Sequence, residues 1–212
     1  MINVDHGYTH RIDQFHFVNG IFDVARCAVR YGFRLVVVTN QAGIARGYYS
    51  KEQFHQLTSW MCEQFMKQGA TIEKVYFSPF HPTEGQGQYK RDDFSRKPHP
   101  GMILRAQQEL GLDLSASILI GDKATDIQAG LAAGVGLNVL CSMEAFAELD
   151  SCSYRRIHDL QEALSIFETP DAAKLMGLTL SCCTGVNGEV KAGLTGLMEV
   201  NGVMEVNGVR HD

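Results

Sequence analysis

Three short stretches hold residues whose types and spacing could handle a phosphate group. Thr39-Asn40-Gln41-Ala42 follows directly on the apolar run Leu35-Val36-Val37-Val38. A hydroxyl, a side-chain amide and exposed backbone N–H groups at that point can hold a phosphate. Taken singly, a polar turn that caps a strand is the simpler account. Arg96-Lys97-Pro98-His99-Pro100-Gly101-Met102 offers a guanidinium fork and an ammonium point charge to an oxyanion. Its two prolines fix extended backbone ahead of a helix. By itself, a solvated basic pair at a loop end again explains it more simply. Gly121-Asp122-Lys123-Ala124-Thr125-Asp126 ends the apolar run Ile118-Leu119-Ile120 with an acid and repeats an acid four residues on, at a helix start. Carboxylates gathered at a strand end suit Mg²⁺, a hard cation that keeps several waters and binds substrate phosphate. The alternative is that Asp122 or Asp126 caps the helix.

The elements that must position these residues alternate. The continuous, β-branched run 35–38 predicts a strand buried on both faces, as parallel sheets require. A helical pattern over 21–31, closed by Gly32, precedes it. Ser50 and Gln53 form a capping-box signature that opens a helix reaching about Lys67. A strand over 74–77, a long polar loop over 79–100, a helix over 101–110 closed by Gly111, and a strand over 117–120 follow. A helix over 125–133, a strand over 136–140 and a helix over 160–167 complete the pattern. Strand and helix in alternation predict a three-layer, Rossmann-like α/β fold with a parallel sheet. In such sheets ligands sit beyond the carboxyl ends of the strands, so the three polar stretches belong at one edge.

Bulk properties narrow the function. The 212 residues suit one domain, with 45% hydrophobic and 20% charged residues. The net charge of −5 and the lack of a basic stripe argue against a nucleic-acid partner. An anionic substrate must therefore be held by a few placed cations. The six cysteines show no Cys-x-x-Cys pair or zinc spacing, and read as reduced, packed thiols of a cytoplasmic protein. The N-terminus does not read as a signal peptide, and no apolar run approaches membrane-spanning length.

In their order, the three stretches resemble the second, third and fourth motifs of the haloacid dehalogenase superfamily. Ile2-Asn3-Val4-Asp5-His6-Gly7-Tyr8, Val36-Val37-Val38-Thr39-Asn40-Gln41, Gly43-Ile44-Ala45-Arg46-Gly47, Arg96 to Met102 and Gly121-Asp122-Lys123 together look like the D-glycero-D-manno-heptose 1,7-bisphosphate 7-phosphatases. Histidinol-phosphate phosphatases are near relatives. The resemblance covers roughly residues 2–165. It implies a haloacid dehalogenase fold with small loop insertions and no large cap. It also implies Mg²⁺-dependent removal of the 7-phosphate, for nucleotide-activated heptose and lipopolysaccharide core synthesis. Histidinol-phosphate hydrolysis is the nearest alternative, and a non-catalytic phosphate-binding remnant is another. Carried over by position, Asp5, His6, Gly7 and Tyr8 would contact the sugar and second phosphate. Thr39 would hold the transferring phosphoryl group, with Asn40, Gln41 and Ala42 lining the site. Arg96 would help recognise substrate, and Lys97 would neutralise developing charge. Asp122 would bind Mg²⁺ with Lys123 beside it, and Asp126 is a weaker metal candidate. A monomer with a phosphorylated sugar as its ligand is expected.

Two departures from the family pattern stand out. Relatives carry Asp-x-Asp-Gly immediately before Ile-Asn-x-Asp-His-Gly-Tyr, with the first Asp as nucleophile and the second as acid and base. Here Met1 stands where the residue after Asp-Gly belongs. The expectation is a GTG valine codon written as an initiator, with Asp-x-Asp-Gly continuing upstream in frame; the alternative is a fragment or degenerate copy. Without that first strand, the strands bearing Thr39 and Asp122 would face each other with unpaired edges. Asp5 is a remote substitute for the nucleophile. The second departure is zinc: many relatives hold the long loop with Cys-x-His and Cys-x-Cys, whereas Phe77 to Pro82 and Asp92 to Arg96 contain no cysteine. His81 and His99 are expected to be structural, and zinc is not expected. Residues 1–168 thus form the phosphatase domain. Residues 169–212 form a Gly-rich tail in which Met198 to Val203 is repeated as Met204 to Val209. The expectation there is disorder, with short β-ribbons at the Asn-Gly turns as the alternative.

Overall fold

A computed structural model of the chain describes residues 1–144 and 146–168, together with the backbone of residues 200–205. Its strands are β1 (Phe33–Asn40), β2 (Ile72–Ser78), β3 (Ile118–Gly121), β4 (Leu137–Cys141), β5 (Arg155–Ile157) and β6 (Val200–Glu205). Its helices are α1 (Ile21–Arg30), α2 (Ala42–Ala45), α3 (Lys51–Lys67), α4 (Gly101–Leu110), α5 (Ala124–Ala133) and α6 (Glu162–Phe167).

The β1 strand forms where the sequence concentrates β-branched side chains, and it alternates between two apolar layers. Leu35 and Val37 join residues of α1, α3 and α6. Val36 and Val38 join Met102 and Ile103 of α4 and Ile127 of α5 on the other face. Each such buried side chain contributes about 1.5–3 kcal/mol of transfer free energy. Helices therefore cover both faces of the sheet, which is why its strands read as continuous apolar runs. At the start of α3 the Ser50 Oγ accepts the Gln53 N–H at 3.2 Å and the Gln53 Oε1 accepts the Ser50 N–H at 2.9 Å, the reciprocal cap predicted from the sequence. Helix α4 stops at Gly111, whose φ of 66° lies in the left-handed region that glycine occupies freely.

The six strands run in the order β2-β1-β6-β3-β4-β5, and every pairing is parallel. From β1 the chain moves outward to β2; from β3 it moves the other way, to β4 and β5. The direction reverses between β1 and β3, and that reversal is where open α/β sheets bind ligands. The two edges expected to be unpaired are separated by β6, drawn from the repetitive tail. Phe33 to Val38 pair with Val200 to Glu205 on one side. Ile118 to Ile120 pair with Gly202 to Met204 on the other. Six residues of the tail expected to be disordered are thus a strand; the remainder of that expectation lies outside the described residues. The strand over 155–157 went unpredicted because three residues are too few to show a period.

Candidate active site at the carboxyl edge of the sheet

Thr39 ends β1 and is buried. The Gln41 Nε2 donates to its Oγ1 at 2.9 Å, and the Tyr49 hydroxyl donates to the Gln41 Oε1 at 2.5 Å. Gln41 therefore holds the threonine oxygen through a chain of buried polar groups, and Ala42 opens α2 beside it, buried. Asn40 does something the sequence did not reveal. Its Nδ2 donates to the Lys97 carbonyl at 3.0 Å, and its Oδ1 accepts the Lys97 N–H at 3.1 Å. This two-way amide clamp ties the end of β1 to the loop that carries Arg96 and Lys97. The Lys97–Pro98 peptide is cis.

Lys97 is 2% exposed. Its Nζ lies 3.2 Å from the Val38 carbonyl oxygen and 3.1 Å from the Asp126 Oδ1. Burial pushes the ammonium down from 10.5 to about 8, against the upward pull of Asp126 and Asp122. Asp126, fully buried, also accepts the N–H groups of Asp122 at 3.0 Å and Lys123 at 2.9 Å through Oδ2. It orders the loop between β3 and α5 and compensates Lys97. Gly121 is required there because a Cβ would lie 2.4 Å from the Asp126 Cβ.

Asp122 is the acid of this loop that reaches the surface, with its side chain 29% exposed. The amino-terminal ammonium of Met1 lies 3.5 Å from its Oδ1. A half-buried carboxylate at a strand end fits Mg²⁺, which needs one or two carboxylates and completes its shell with water and phosphate. Among the described residues, no cluster of three or more His, Cys, Asp or Glu is placed to cage a metal alone. Lys123 projects beside Asp122, its Nζ 4.0 Å from the Asp5 Oδ2. Asp5 in turn accepts the Gly7 N–H at 2.9 Å, which fixes the Asp5–Tyr8 loop over the same edge. His6 in that loop packs edge-on against His16, and Tyr8 takes a positive φ of 51°.

A second cationic station lies across Tyr8. The Arg46 guanidinium sits 5.3 Å from the Tyr8 ring centroid and is ion-paired with Glu84. Arg96 donates to the Phe80 carbonyl at 3.0 Å. Burial lowers the pKa of Arg96, and the like charge of Arg46 lowers it further. Glu84 offsets the Arg46 charge, while Arg96 keeps its own in a partly buried place that an anion would stabilise. Arg46 was visible in sequence only as part of Gly43 to Gly47; nothing there showed that it would meet Arg96. His81 accepts the Glu84 N–H at 3.0 Å and His99 faces Asp92 at 3.3 Å.

The strand-end Thr, the buried Lys and the Gly-Asp loop at the reversal point of a parallel sheet define a haloacid-dehalogenase-like hydrolase. The HAD-hydrolase-like family model matches residues 94–140. The chain is 52% identical over 146 residues to the D-glycero-α-D-manno-heptose-1,7-bisphosphate 7-phosphatase of Burkholderia mallei, covering 68% of this chain and 77% of that one. It is 48% identical over 139 residues to the β-anomer 7-phosphatase of Yersinia pestis, with 66% and 74% covered. Among solved structures, a HAD-like phosphatase candidate from Mesorhizobium loti superposes with a TM-score of 0.71 at 32% identity, with 82% of each chain covered. The D,D-heptose 1,7-bisphosphate phosphatase of B. bronchiseptica, in complex with magnesium and phosphate, shares the fold at a TM-score of 0.65 and 21% identity, with 79% and 93% covered. The chain belongs to the heptose-1,7-bisphosphate 7-phosphatase family of the HAD-like hydrolases.

Proposed function

We propose that this protein removes the 7-phosphate of a D-glycero-D-manno-heptose 1,7-bisphosphate, with Mg²⁺ as cofactor, on the route to nucleotide-activated heptose and the lipopolysaccharide core. The observation that carries the reading is a pair of cationic stations at one sheet edge. Lys97 reaches the end of the strand that carries Thr39, and Arg46 lies over the Tyr8 ring, near enough to Arg96 for their like charges to act on each other. A sugar with a phosphate at each end needs two such stations. Histidinol phosphate carries one phosphate and an ammonium, which two guanidiniums would repel.

In this reading Thr39 and the backbone N–H groups around Asn40 to Ala42 hold the phosphoryl oxygens. Lys97, fixed by the Asn40 clamp and by Asp126, offsets the charge that develops on them. Arg46, Arg96 and the Asp5–Tyr8 loop hold the sugar and its second phosphate. Asp122 would hold Mg²⁺, with Lys123 beside it; when bound, the ion supplies Lewis-acid neutralisation of phosphate charge. A phosphate-release assay with the heptose bisphosphate, its 1-phosphate and histidinol phosphate tests the reading. The bisphosphate is expected to be preferred; preference for histidinol phosphate would reassign the substrate.

One observation favours a second reading for the chain of 212 residues. β6, from the tail, lies between β1 and β3, and in that reading the site around it would bind a phosphosugar without turning it over. Binding of the bisphosphate by calorimetry with no phosphate released would select that reading; release at a family-like rate would reject it.

A further inference from the structure

The motifs of this edge assign Tyr49 no task, yet its side chain is held from several directions. It is buried beyond the end of α2. The His10 ring stacks against it, with centroids 5.3 Å apart and planes 7° apart. Ile44 and Phe54 share its apolar cluster. Gly43 lies against the same ring, and a Cβ there would run into it. The Tyr48 N–H donates to the Gly43 carbonyl at 2.9 Å, which closes the turn that brings Tyr49 back over α2. A phenol fixed in this way points its hydroxyl at one place, the side chain of Gln41.

Hydrogen bonds have direction, and here one direction sets the next. The Tyr49 hydroxyl has a single hydrogen to give, and among the described residues its hydrogen-bond partner is the Gln41 Oε1. Were the Gln41 amide turned over, the phenol would accept from Nε2, and its own hydrogen would be buried without an acceptor, at the full cost of desolvation. Burial raises the Tyr49 phenol above its ordinary pKa, so that hydrogen stays in place. The amide is therefore held with Oε1 toward Tyr49 and Nε2 toward Thr39. The Gln41 backbone is held as well, because its N–H donates to the Ser78 carbonyl at the end of β2 at 2.8 Å. An amide nitrogen can only donate, so the Thr39 Oγ1 accepts on that side and its own hydrogen is turned away from Gln41. Phosphoryl oxygens without hydrogens can only accept. A threonine held in this sense matches them, whereas the opposite sense would present a lone pair to an anion.

We propose that Tyr49 is a positioning residue of the phosphoryl site: acting through Gln41, its hydroxyl sets Thr39 as a hydrogen-bond donor toward the phosphoryl oxygens. Tyr49 itself touches no ligand and acts at two removes. The proposal rests on the reading of Thr39 as the residue that holds the phosphoryl group.

The test is a double-mutant cycle in the full 212-residue chain, with inorganic phosphate binding read by calorimetry. Tyr49→Phe removes the hydroxyl and keeps the ring. It is expected to weaken phosphate binding about threefold to tenfold, and to have no effect once Thr39→Val has removed the group on which it acts. Sulfate, whose oxygens only accept, is expected to lose at least as much as phosphate. Tyr76→Phe, which removes a hydroxyl bonded to Glu109 away from this edge, is expected to bind like wild type. A neutral Tyr49→Phe, a loss that persists in Thr39→Val, a loss confined to phosphate, or an equal loss in Tyr76→Phe overturns the assignment. Proton NMR reads the relay without any ligand. Wild type is expected to show a resolved Tyr49 hydroxyl proton, and Tyr49→Phe to lose it and to shift the Gln41 side-chain amide. This reading decides if Thr39→Val fails to fold, and the wild-type spectrum decides if Tyr49→Phe does: a missing hydroxyl resonance or an unmoved Gln41 amide overturns the relay. A wild type that binds no phosphate sinks the phosphoryl reading of Thr39, while the NMR arm still judges whether Tyr49 holds Gln41.

Discussion

Lys97 shows how surroundings change the chemistry of one residue. In sequence it is one of a basic pair. In the structure it is buried, clamped through its backbone by Asn40, and faced by Asp126. Substituting Lys97→Met strips Asp126 of that ammonium inside the protein and is expected to cost about 3–5 kcal/mol of stability. The double variant Lys97→Met/Asp126→Asn is expected to recover most of that loss in urea unfolding, yet to bind phosphate as poorly as the single variant. Because burial lowers the Lys97 pKa to about 8, the free protein loses this positive charge as pH rises through that value. Phosphate affinity is therefore expected to be full well below pH 8 and to fall above it; a flat titration from pH 6 to 9 would remove Lys97 from the phosphoryl site. At the other station, Arg46→Ala is expected to raise KM for the heptose bisphosphate about tenfold or more while barely changing KM for a monophosphate, since it withdraws one charge-assisted contact. Equal effects on both would place Arg46 outside the second-phosphate station.

At the scale of elements, most of what holds the site was readable. The capping box at Ser50 and Gln53 and the apolar runs around Val37 and Leu119 appear as expected, because caps and strand burial are local signals. Ser50→Ala removes the side-chain acceptor for the Gln53 N–H and is expected to cost about 1 kcal/mol in thermal or urea unfolding, with phosphate binding unchanged. The Gly-Asp signature also has a local cause that only the structure exposes. Gly121→Ala would drive a methyl group into the Asp126 side chain and is expected to destabilise by about 1–3 kcal/mol. It should also weaken metal binding at Asp122, because the same loop carries both residues; a Mn²⁺ titration followed by electron paramagnetic resonance would check this. The Asn40 clamp was not readable, because its partner is 57 residues away.

At the scale of the molecule, two apolar layers share one sheet. Trp60 packs in the layer of α1, α3 and α6, while α4 and α5 fill the opposite layer. Strands such as β1 contribute to both, so neither layer can be lost without exposing the other. Trp60 fluorescence and far-UV circular dichroism are expected to report one coincident unfolding transition. Separate midpoints would mean that the layers unfold as independent units.

The sequence by itself determined the class of fold and the edge of the sheet at which Thr39, Lys97 and Asp122 would gather, because strand burial, turn chemistry and motif order are written in neighbouring residues. Only the tertiary structure decided that Asn40 clamps Lys97, that Arg46 meets Arg96, and that β6 lies between β1 and β3. Those facts depend on contacts between distant segments, and on which strand edges are open to be paired. The repeat over 198–209 carries a turn signal and weak strand formers, so its local propensity argued against a central strand. Two neighbouring edges with backbone groups to satisfy outweigh that propensity.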